Sequence, residues 1–408
     1  MGTKRHLSRV VSELAKTLPC GALLDAFSGM CAVGGAIAPS RQVWTNDIQP
    51  FPALVGQFLF CSTSESVGTS RLKQVLEPYF TRNLKALHRR FKGYLEAEQK
   101  YLSTHQLSDV LDGNTGLPYV GSNDSLERER KRLARKPSTF PYRLATIAYA
   151  GTFFGASQCM EADSVRYAID SAIKNGEMDP DQKGWVIIAL AQVLAHINNS
   201  TGQFAQFIKP RQGNIERIIE KRRRSVWAEL FVELESLSPL GDKNWRSKNR
   251  AFQMDTLSLL ERLSKQKERP VVVYADPPYS EAQYSRYYHV LDVIAEYRYP
   301  AVTGHGRYPT GRYQAPFAQS RAVANSIARL VENASKIEAC LLLSYPENGL
   351  FITKGGDIIR LLQKHYRYVD IAFSDLQKHS TFGGPAAAPT VSAVENIYIA
   401  RKGISSRV

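Results

Sequence analysis

The chain is poor in cysteine, short of acid and without any long apolar run. Cys20, Cys31, Cys61, Cys159 and Cys340 are scattered through 408 residues, with no Cys-x-x-Cys pair and no clustered histidines. That scatter argues against a disulfide framework and a structural zinc, so no metal is expected and a reducing cytoplasm, beside the nucleoid, is the expected setting. No stretch reaches the roughly 20 apolar residues of a membrane helix, so no membrane partner is expected. The basic N-terminus runs into Glu13 and Lys16 and not into an apolar signal core, so export is not expected. Also missing are G-x-G-x-x-G and Gly-Lys-Ser/Thr, the marks of dinucleotide and phosphate loops. The deficit of acid is the largest of these absences. With 38 Asp/Glu against 53 Lys/Arg the formal charge is +15 and the pI about 9.5, a field that recruits polyanions.

The basic excess is concentrated in three places. Residues 82–136 are rich in Lys and Arg, and residues 209–224 contain the run Lys221-Arg222-Arg223-Arg224. Residues 298–329 carry Arg298, Arg307, Arg312, Arg321 and Arg329 with no acid, interleaved with Tyr299, Tyr308, Tyr313 and Phe317. Cations and aromatics on a turn-rich backbone suit phosphates and unstacked bases; a solvated surface loop is the alternative for any one arginine. Arg222, Arg223, Arg298, Arg307 and Arg312 are the residues assigned to nucleic-acid contact.

At this length one large domain with an insertion, or two domains, is expected. Leu7, Val10, Val11, Leu14 and Leu18 recur at helical spacing and Pro19 closes that element. Residues 22–27 read as a buried strand entering a turn with Gly29, Gly34 and Gly35, and residues 43–46 as a second strand ending at Asp47. Strand, glycine turn, helix, strand and acid make the first half of a nucleotide-binding α/β sheet. Asp47 follows Asp25 by about 20 residues, the spacing of an acid that accepts from ribose hydroxyls. An ordinary strand–helix turn is the alternative. From 62 to 250 the pattern is helical and charged. Ser157 is the expected N-cap of a helix stopped by Asn175-Gly176, and Asp179-Pro180 opens another whose buried stripe is Trp185, Ile188, Ala189, Val193 and Ile197. Strands return at 271–275, 339–344, 369–373 and 394–400. Asp255 either ends a third strand as an acceptor for a ligand amino group or caps the helix from Thr256.

Asp276-Pro277-Pro278-Tyr279 follows directly on the apolar run 271–275. Two prolines forbid helix or ladder continuation, so the strand must stop in an extended turn. A carboxylate, a backbone carbonyl and an aromatic ring then converge at the carboxyl edge of the sheet, where open α/β folds bind ligands. A flat base with an exocyclic amino group needs two acceptors for its hydrogens and a ring to stack on. A plain proline turn after a strand is the alternative.

Taken together these segments resemble the Dam-like, alpha-type DNA adenine-N6 methyltransferases that carry a large insertion before the catalytic tetrapeptide. The resemblance rests on Gly2-Thr3-Lys4-Arg5-His6-Leu7, on Asp25-Ala26-Phe27-Ser28-Gly29 followed by Ala32-Val33-Gly34, on residues 150–155 and 199–209, on Asp276-Pro277-Pro278-Tyr279, and on residues 287–292, Tyr299-Pro300 and 343–345, in that order. It implies a Rossmann-like α/β sheet dependent on S-adenosylmethionine, built from 1–61 and 251–408, with a helical DNA-recognition region at 62–250. It further implies that Asp25, Phe27 and Gly29 shape the methionine pocket, Asp47 holds the ribose, Asp255 faces the cofactor's adenine and Lys4 lies near cofactor or target base. Asp276 and the Pro277 carbonyl would accept from the target amino group, Pro278 would hold the turn, and Tyr279 would stack on the flipped base.

Expected partners are double-stranded DNA and a restriction or phage-defence system, for a monomer or weak dimer. Cytosine-N4 methylation stays open, as does a DNA-binding module with an inactive cofactor loop. The second reading rests on Cys31, which stands where the family has a loop glycine and is placed to crowd the cofactor's methionine end.

Overall fold

The computed structural model describes residues 5–64, 68–114, 124–201, 203–379 and 391–403. Short apolar runs form the strands β1 (Leu23–Asp25), β2 (Val43–Asn46), β3 (Arg250–Phe252) and β4 (Val272–Ala275). A two-stranded ribbon pairs β5 (Val302–Thr303) with β6 (Tyr308–Pro309), and the chain closes with β7 (Cys340–Pro346), β8 (Tyr368–His379) and β9 (Val391–Arg401). The main sheet runs β3-β2-β1-β4-β7-β9-β8, parallel except for β9, which lies antiparallel to both β7 and β8. This is the Rossmann-like sheet of the methyltransferase fold. The chain builds outward from β1 through β2 to β3, then returns to the other side of β1 with β4. Leu23, Leu24 and Asp25 pair with β2 on one side and with Val272, Val273 and Tyr274 on the other. The order of strands therefore reverses between β1 and β4, and a crevice opens at their carboxyl ends.

Every residue of β1, β2 and β4 is buried, as parallel strands covered on both faces require. Alternate residues point to opposite faces. Leu23, Val43, Val272 and Leu342 join one apolar cluster with α1 (Arg5–Lys16), α2 (Ala32–Ile37) and α3 (Pro50–Cys61). Leu24, Trp44, Val273, Leu341 and Leu343 join a second.

Helices fill the stretch between β2 and β3: α4 (Thr69–Arg90), α5 (Lys92–Thr104), α6 (Leu107–Asn114), α7 (Asp124–Arg135) and α8 (Leu144–Tyr149). There follow α9 (Ala156–Lys174), α10 (Pro180–Ile197), α11 (Ile215–Arg222), α12 (Val226–Ser236) and α13 (Lys243–Arg246). Later come α14 (Thr256–Leu263), α15 (Ser285–Glu296), α16 (Val323–Lys336), α17 (Leu350–Thr353) and α18 (Ile358–Gln363). None of these is long and apolar enough to cross a membrane. Among the inserted helices, α4, α8, α9, α10 and α12 share the apolar cluster of the first sheet face, while α6 and α11 pack with Tyr101 of α5 in a separate small cluster.

Two helix readings change. Helix α10 begins as expected, with Asp179 Oδ1 accepting from the Asp181 amide at 2.8 Å and Pro180 at its first position. It is buried almost all round, however, because α3, α9 and α12 enclose it, so Val186, Ile187, Leu190 and Leu194 are core as well. Helix α9 starts at Ala156 after Gly155, and Ser157 is not its cap. The buried Glu98 on α5 accepts from the Ala156 and Ser157 amides at 2.8 and 2.7 Å, capping α9 from another helix.

Gly184 on α10 sits against the Phe58 ring of α3, where a Cβ would overlap the ring. Gly184→Val should destabilise the protein by about 1–3 kcal/mol through overpacking, read as a lower thermal midpoint. An unchanged midpoint would mean that this contact does not fix the helix spacing.

Candidate active site

The reversal between β1 and β4 opens onto a cavity of about 270 Å³ lined by both strand ends. Asp25 ends β1, and Phe27 and Gly29 follow it in the turn. Gly29 has φ +47°, and a Cβ there would meet nothing within 4 Å, so this backbone borders open space. Its amide donates to Asp47 Oδ2 at 3.0 Å, and the Gln49 amide donates to Asp47 Oδ1 at 2.8 Å. Burial pushes the Asp47 carboxyl up to about 6, against the pull of the Gln49, Gly29 and Ile48 amides. These three amides leave part of its roughly four acceptor positions for the cavity.

At the other strand end, Asp276, Pro278 and Tyr279 line the same cavity, while Pro277 between them is buried and is not part of its lining. The Tyr279 carbonyl accepts from the Leu350 amide at 2.7 Å, tying the end of the turn to α17. The Tyr284 hydroxyl donates to that of Tyr279, and burial raises both phenols. Tyr287 and Tyr288 of α15 complete an aromatic wall.

A polar chain locks the two halves together. With its amide turned to satisfy both neighbours, Gln49 donates to Asp292 Oδ2 at 2.9 Å and accepts from the Ser285 amide at 3.1 Å. The Phe51 amide donates to Asp292 Oδ1 at 2.8 Å. Burial pushes the Asp292 carboxyl up to about 7, again opposed by the amide it accepts from. The turn after β2 is thereby fixed to the helix that follows the proline turn.

Asp255 is an N-cap: its Oδ1 accepts from the Ser258 amide at 3.0 Å. Its Oδ2 accepts from the Tyr313 hydroxyl at 2.7 Å, and both residues line the cavity. Phe317 closes this side edge-on to Phe27, with ring centroids 5.3 Å apart. Lys4 lies outside the described residues. Gln49, Ser285 and Glu395 escaped the sequence reading, which took Tyr313 and Phe317 as aromatics of the basic loop and not as walls of this cavity. Glu395, from β9, accepts from Ser344 Oγ at 2.6 Å, and nothing local in the sequence distinguishes it. The aromatic spacing after Tyr279 was a usable sign for Tyr284, Tyr287 and Tyr288.

Cys31 does not crowd the cavity. It adopts φ +61°, the left-handed region in which a glycine would be at ease. Its side chain is buried in the core cluster beside Gly56, whereas Met30 is the neighbour that lines the cavity.

The five arginines assigned to nucleic acid divide into two groups. Arg222 is 4% exposed; its Nη1 donates to the Tyr101 hydroxyl at 2.8 Å, and that hydroxyl donates to Glu98. Arg307, also 4% exposed, donates to the Ala148 carbonyl near the end of α8. Both are therefore framework groups, and in this conformation neither offers a surface for phosphate. Arg223 and Arg298 are exposed and Arg312 is half-buried. Arg223 donates to the Leu102 carbonyl at 2.6 Å, and Arg298 pairs with Glu296 at 2.5 Å.

No family model matches the chain. It is similar to the Type II methyltransferase M.FokI of Planomicrobium okeanokoites, 23% identical over 214 residues, which cover 52% of this chain and 29% of that protein. It is likewise similar to the modification methylase LlaI of Lactococcus lactis subsp. lactis, 25% identical over 166 residues, or 40% of this chain and 24% of that one. The modification methylase StsI of Streptococcus sanguinis is 21% identical over 209 residues, 50% of this chain and 28% of the relative. The matches thus span less than a third of each curated relative.

Burial raises the Cys31 and Cys159 thiols well above their ordinary range, and Cys61 to about 12, while Cys20 is exposed. In the native protein a thiol reagent should modify Cys20 within minutes and reach Cys31 and Cys159 only on unfolding. Mass spectrometry of the labelled peptides checks this; rapid native labelling of Cys31 would place its sulfur at the cavity.

Proposed function

We propose that the chain is an S-adenosylmethionine-dependent DNA methyltransferase whose target is the N6 amino group of a flipped adenine. One observation carries the reading: the glycine turn after β1 and the Asp-Pro-Pro-Tyr turn after β4 face a single cavity. The resemblance to modification methylases supports DNA as the substrate.

The residues present fit the cofactor. Gly29 borders open space that a side chain would take up, and Asp47 keeps unused acceptor capacity beside it. We assign Asp47 to the ribose hydroxyls, Asp25, Phe27 and Gly29 to the methionine end, and Asp255 with Tyr313 to the adenine end. When bound, S-adenosylmethionine supplies an electrophilic methyl on a sulfonium sulfur. The work of the chain is to prepare the nucleophile. An adenine amino lone pair is delocalised into the ring and attacks poorly. Asp276 and the Pro277 carbonyl accept its two hydrogens, which favours a pyramidal nitrogen and localises the lone pair. Tyr279, held by Tyr284 and the Leu350 amide, offers the face on which the base stacks, offsetting part of the few kcal/mol that extrusion from the duplex costs. Positioning and fixed dipoles supply the acceleration, with no covalent enzyme intermediate. We assign the helical stretch 62–250 to duplex recognition, and a restriction or phage-defence system as its setting.

The direct test is transfer of labelled methyl to unmethylated duplex DNA, followed by nucleoside analysis. Label in N6-methyladenosine is expected; label in N4-methylcytosine would move the target, and no label in DNA would overturn the reading. Asp276→Ala should lower transfer by ~100-fold or more while DNA affinity stays within a factor of about two. Cofactor affinity should also weaken as pH falls through about 6. Hydroxyl donors favour ionised Asp47, so protonation opposes binding, by up to about tenfold per pH unit. Asp47→Asn should flatten that dependence; a profile unchanged by the substitution would remove Asp47 from the ribose.

A further inference from the structure

Arg286, at the start of α15, and Arg312, in the loop after β6, converge on one tyrosine. Their guanidinium carbons lie 5.4 and 4.9 Å from the centroid of the Tyr308 ring, and Arg286 Nε also approaches the Tyr308 hydroxyl at 3.4 Å. Both arginines are half-buried, and among the described residues neither has a carboxylate partner. Arg312 Nε is buried without any hydrogen-bond partner. Elsewhere on the surface arginines do find acids: Arg298 meets Glu296, Arg329 meets Glu261 and Arg224 meets Glu229. Two like charges held together in a partly dry site repel, and burial with Arg286 nearby pulls the Arg312 guanidinium below its ordinary range. Such a pair is costly unless an anion completes it.

The platform is fixed; its three residues do not line the cavity, but residues adjoining them do. The Tyr308 hydroxyl donates to the Ala205 carbonyl, in the loop whose Gln203 lines the cavity. The chain neighbours of the two arginines, Ser285 and Tyr287 for one and Tyr313 for the other, line it as well. Planar guanidiniums present forked donors that match the two non-bridging oxygens of a phosphodiester. We propose that Arg286 and Arg312, stacked on Tyr308, clamp the DNA backbone phosphate beside the flipped nucleotide and so position its base over Tyr279. This rests on the reading of the chain as a DNA methyltransferase. The two arginines are positioning residues, since they touch neither the reacting amino group nor the methyl.

The test compares the full chain with Arg286→Gln/Arg312→Gln. Anisotropy of a fluorescein-labelled 30-base-pair duplex is followed across a KCl series, alongside steady-state methyl transfer to plasmid DNA and calorimetry with S-adenosylmethionine. Loss of one phosphate contact should make the slope of log affinity against log salt shallower by about 0.9. It should also lower kcat/KM by roughly 30-fold or more, mainly through KM, with cofactor affinity within about twofold. The pair Arg286→Lys/Arg312→Lys, which keeps charge without the fork, should restore the slope and only part of kcat/KM. If the glutamine pair loses cofactor binding through misfolding, each single glutamine variant is read by its slope; a shallower slope supports the clamp and two wild-type slopes overturn it. A wild-type chain that methylates DNA beside a folded double variant with unaltered slope and kcat/KM overturns the clamp alone. A wild-type chain that neither binds nor methylates DNA overturns the clamp and the function together.

Discussion

The pairing of β1 with β4 is the constraint on which the cavity depends. Only a few residues of each strand are in register, yet that register sets the turn after Asp25 beside the turn after Ala275. The Ala26 amide extends the pairing by donating to the Tyr274 carbonyl at 2.9 Å, at the point where both chains leave the sheet. A parallel pair has no hairpin to fix its register. The work falls to side chains buried on both faces and to crossovers that are long and helical. The many helices between β2 and β3 are thus one connection in the sheet, and most of their core is continuous with the face they cover.

Buried polar groups divide between holding that arrangement and leaving room for chemistry. Asp163 on α9 is fully committed: it accepts from the Ala145 and Thr146 amides, the Thr146 hydroxyl and the Tyr297 hydroxyl, joining the inserted helices to the end of α15. Glu98, Tyr101 and Arg222 form a second buried chain at the start of α9. Asp47 differs, because the donors that reach it are backbone amides of its own turn and of Gly29, and it lines the cavity. A half-buried carboxylate with spare acceptors is costly to a fold and useful to a ligand.

The elements that local chemistry determines were legible. Apolar runs, the double proline after Ala275 and the Asp179-Pro180 start of α10 each contain their own reason within a few residues. What was hidden depended on distant partners. Ser157 has the right residue type for a cap, but Glu98 reaches the amides first. Arg222 belongs to a basic run that reads as surface, and only Tyr101 and Glu98 explain why it is inside. Arg307 carries a charge in a loop, yet the α8 carbonyl end is where it goes. Cys31 reads as an obstruction because sequence gives the presence of a side chain and not its direction; the left-handed backbone turns it into the core. Glu395 comes from the last strand and bears no local mark at all.

The cavity wall also has a bearing on how the protein comes into being. Leu7 and Glu395 both line it, so the walls draw on segments far apart in the sequence. During synthesis β1 leaves the ribosome long before its neighbour β4 exists, and β9 emerges later still. Contacts of such high sequence separation form late, because the entropy of closing the loop must be met first. A nascent chain that has not yet released β9 has an unfinished pocket, so no ligand can be enclosed there until that strand has emerged and paired with β7.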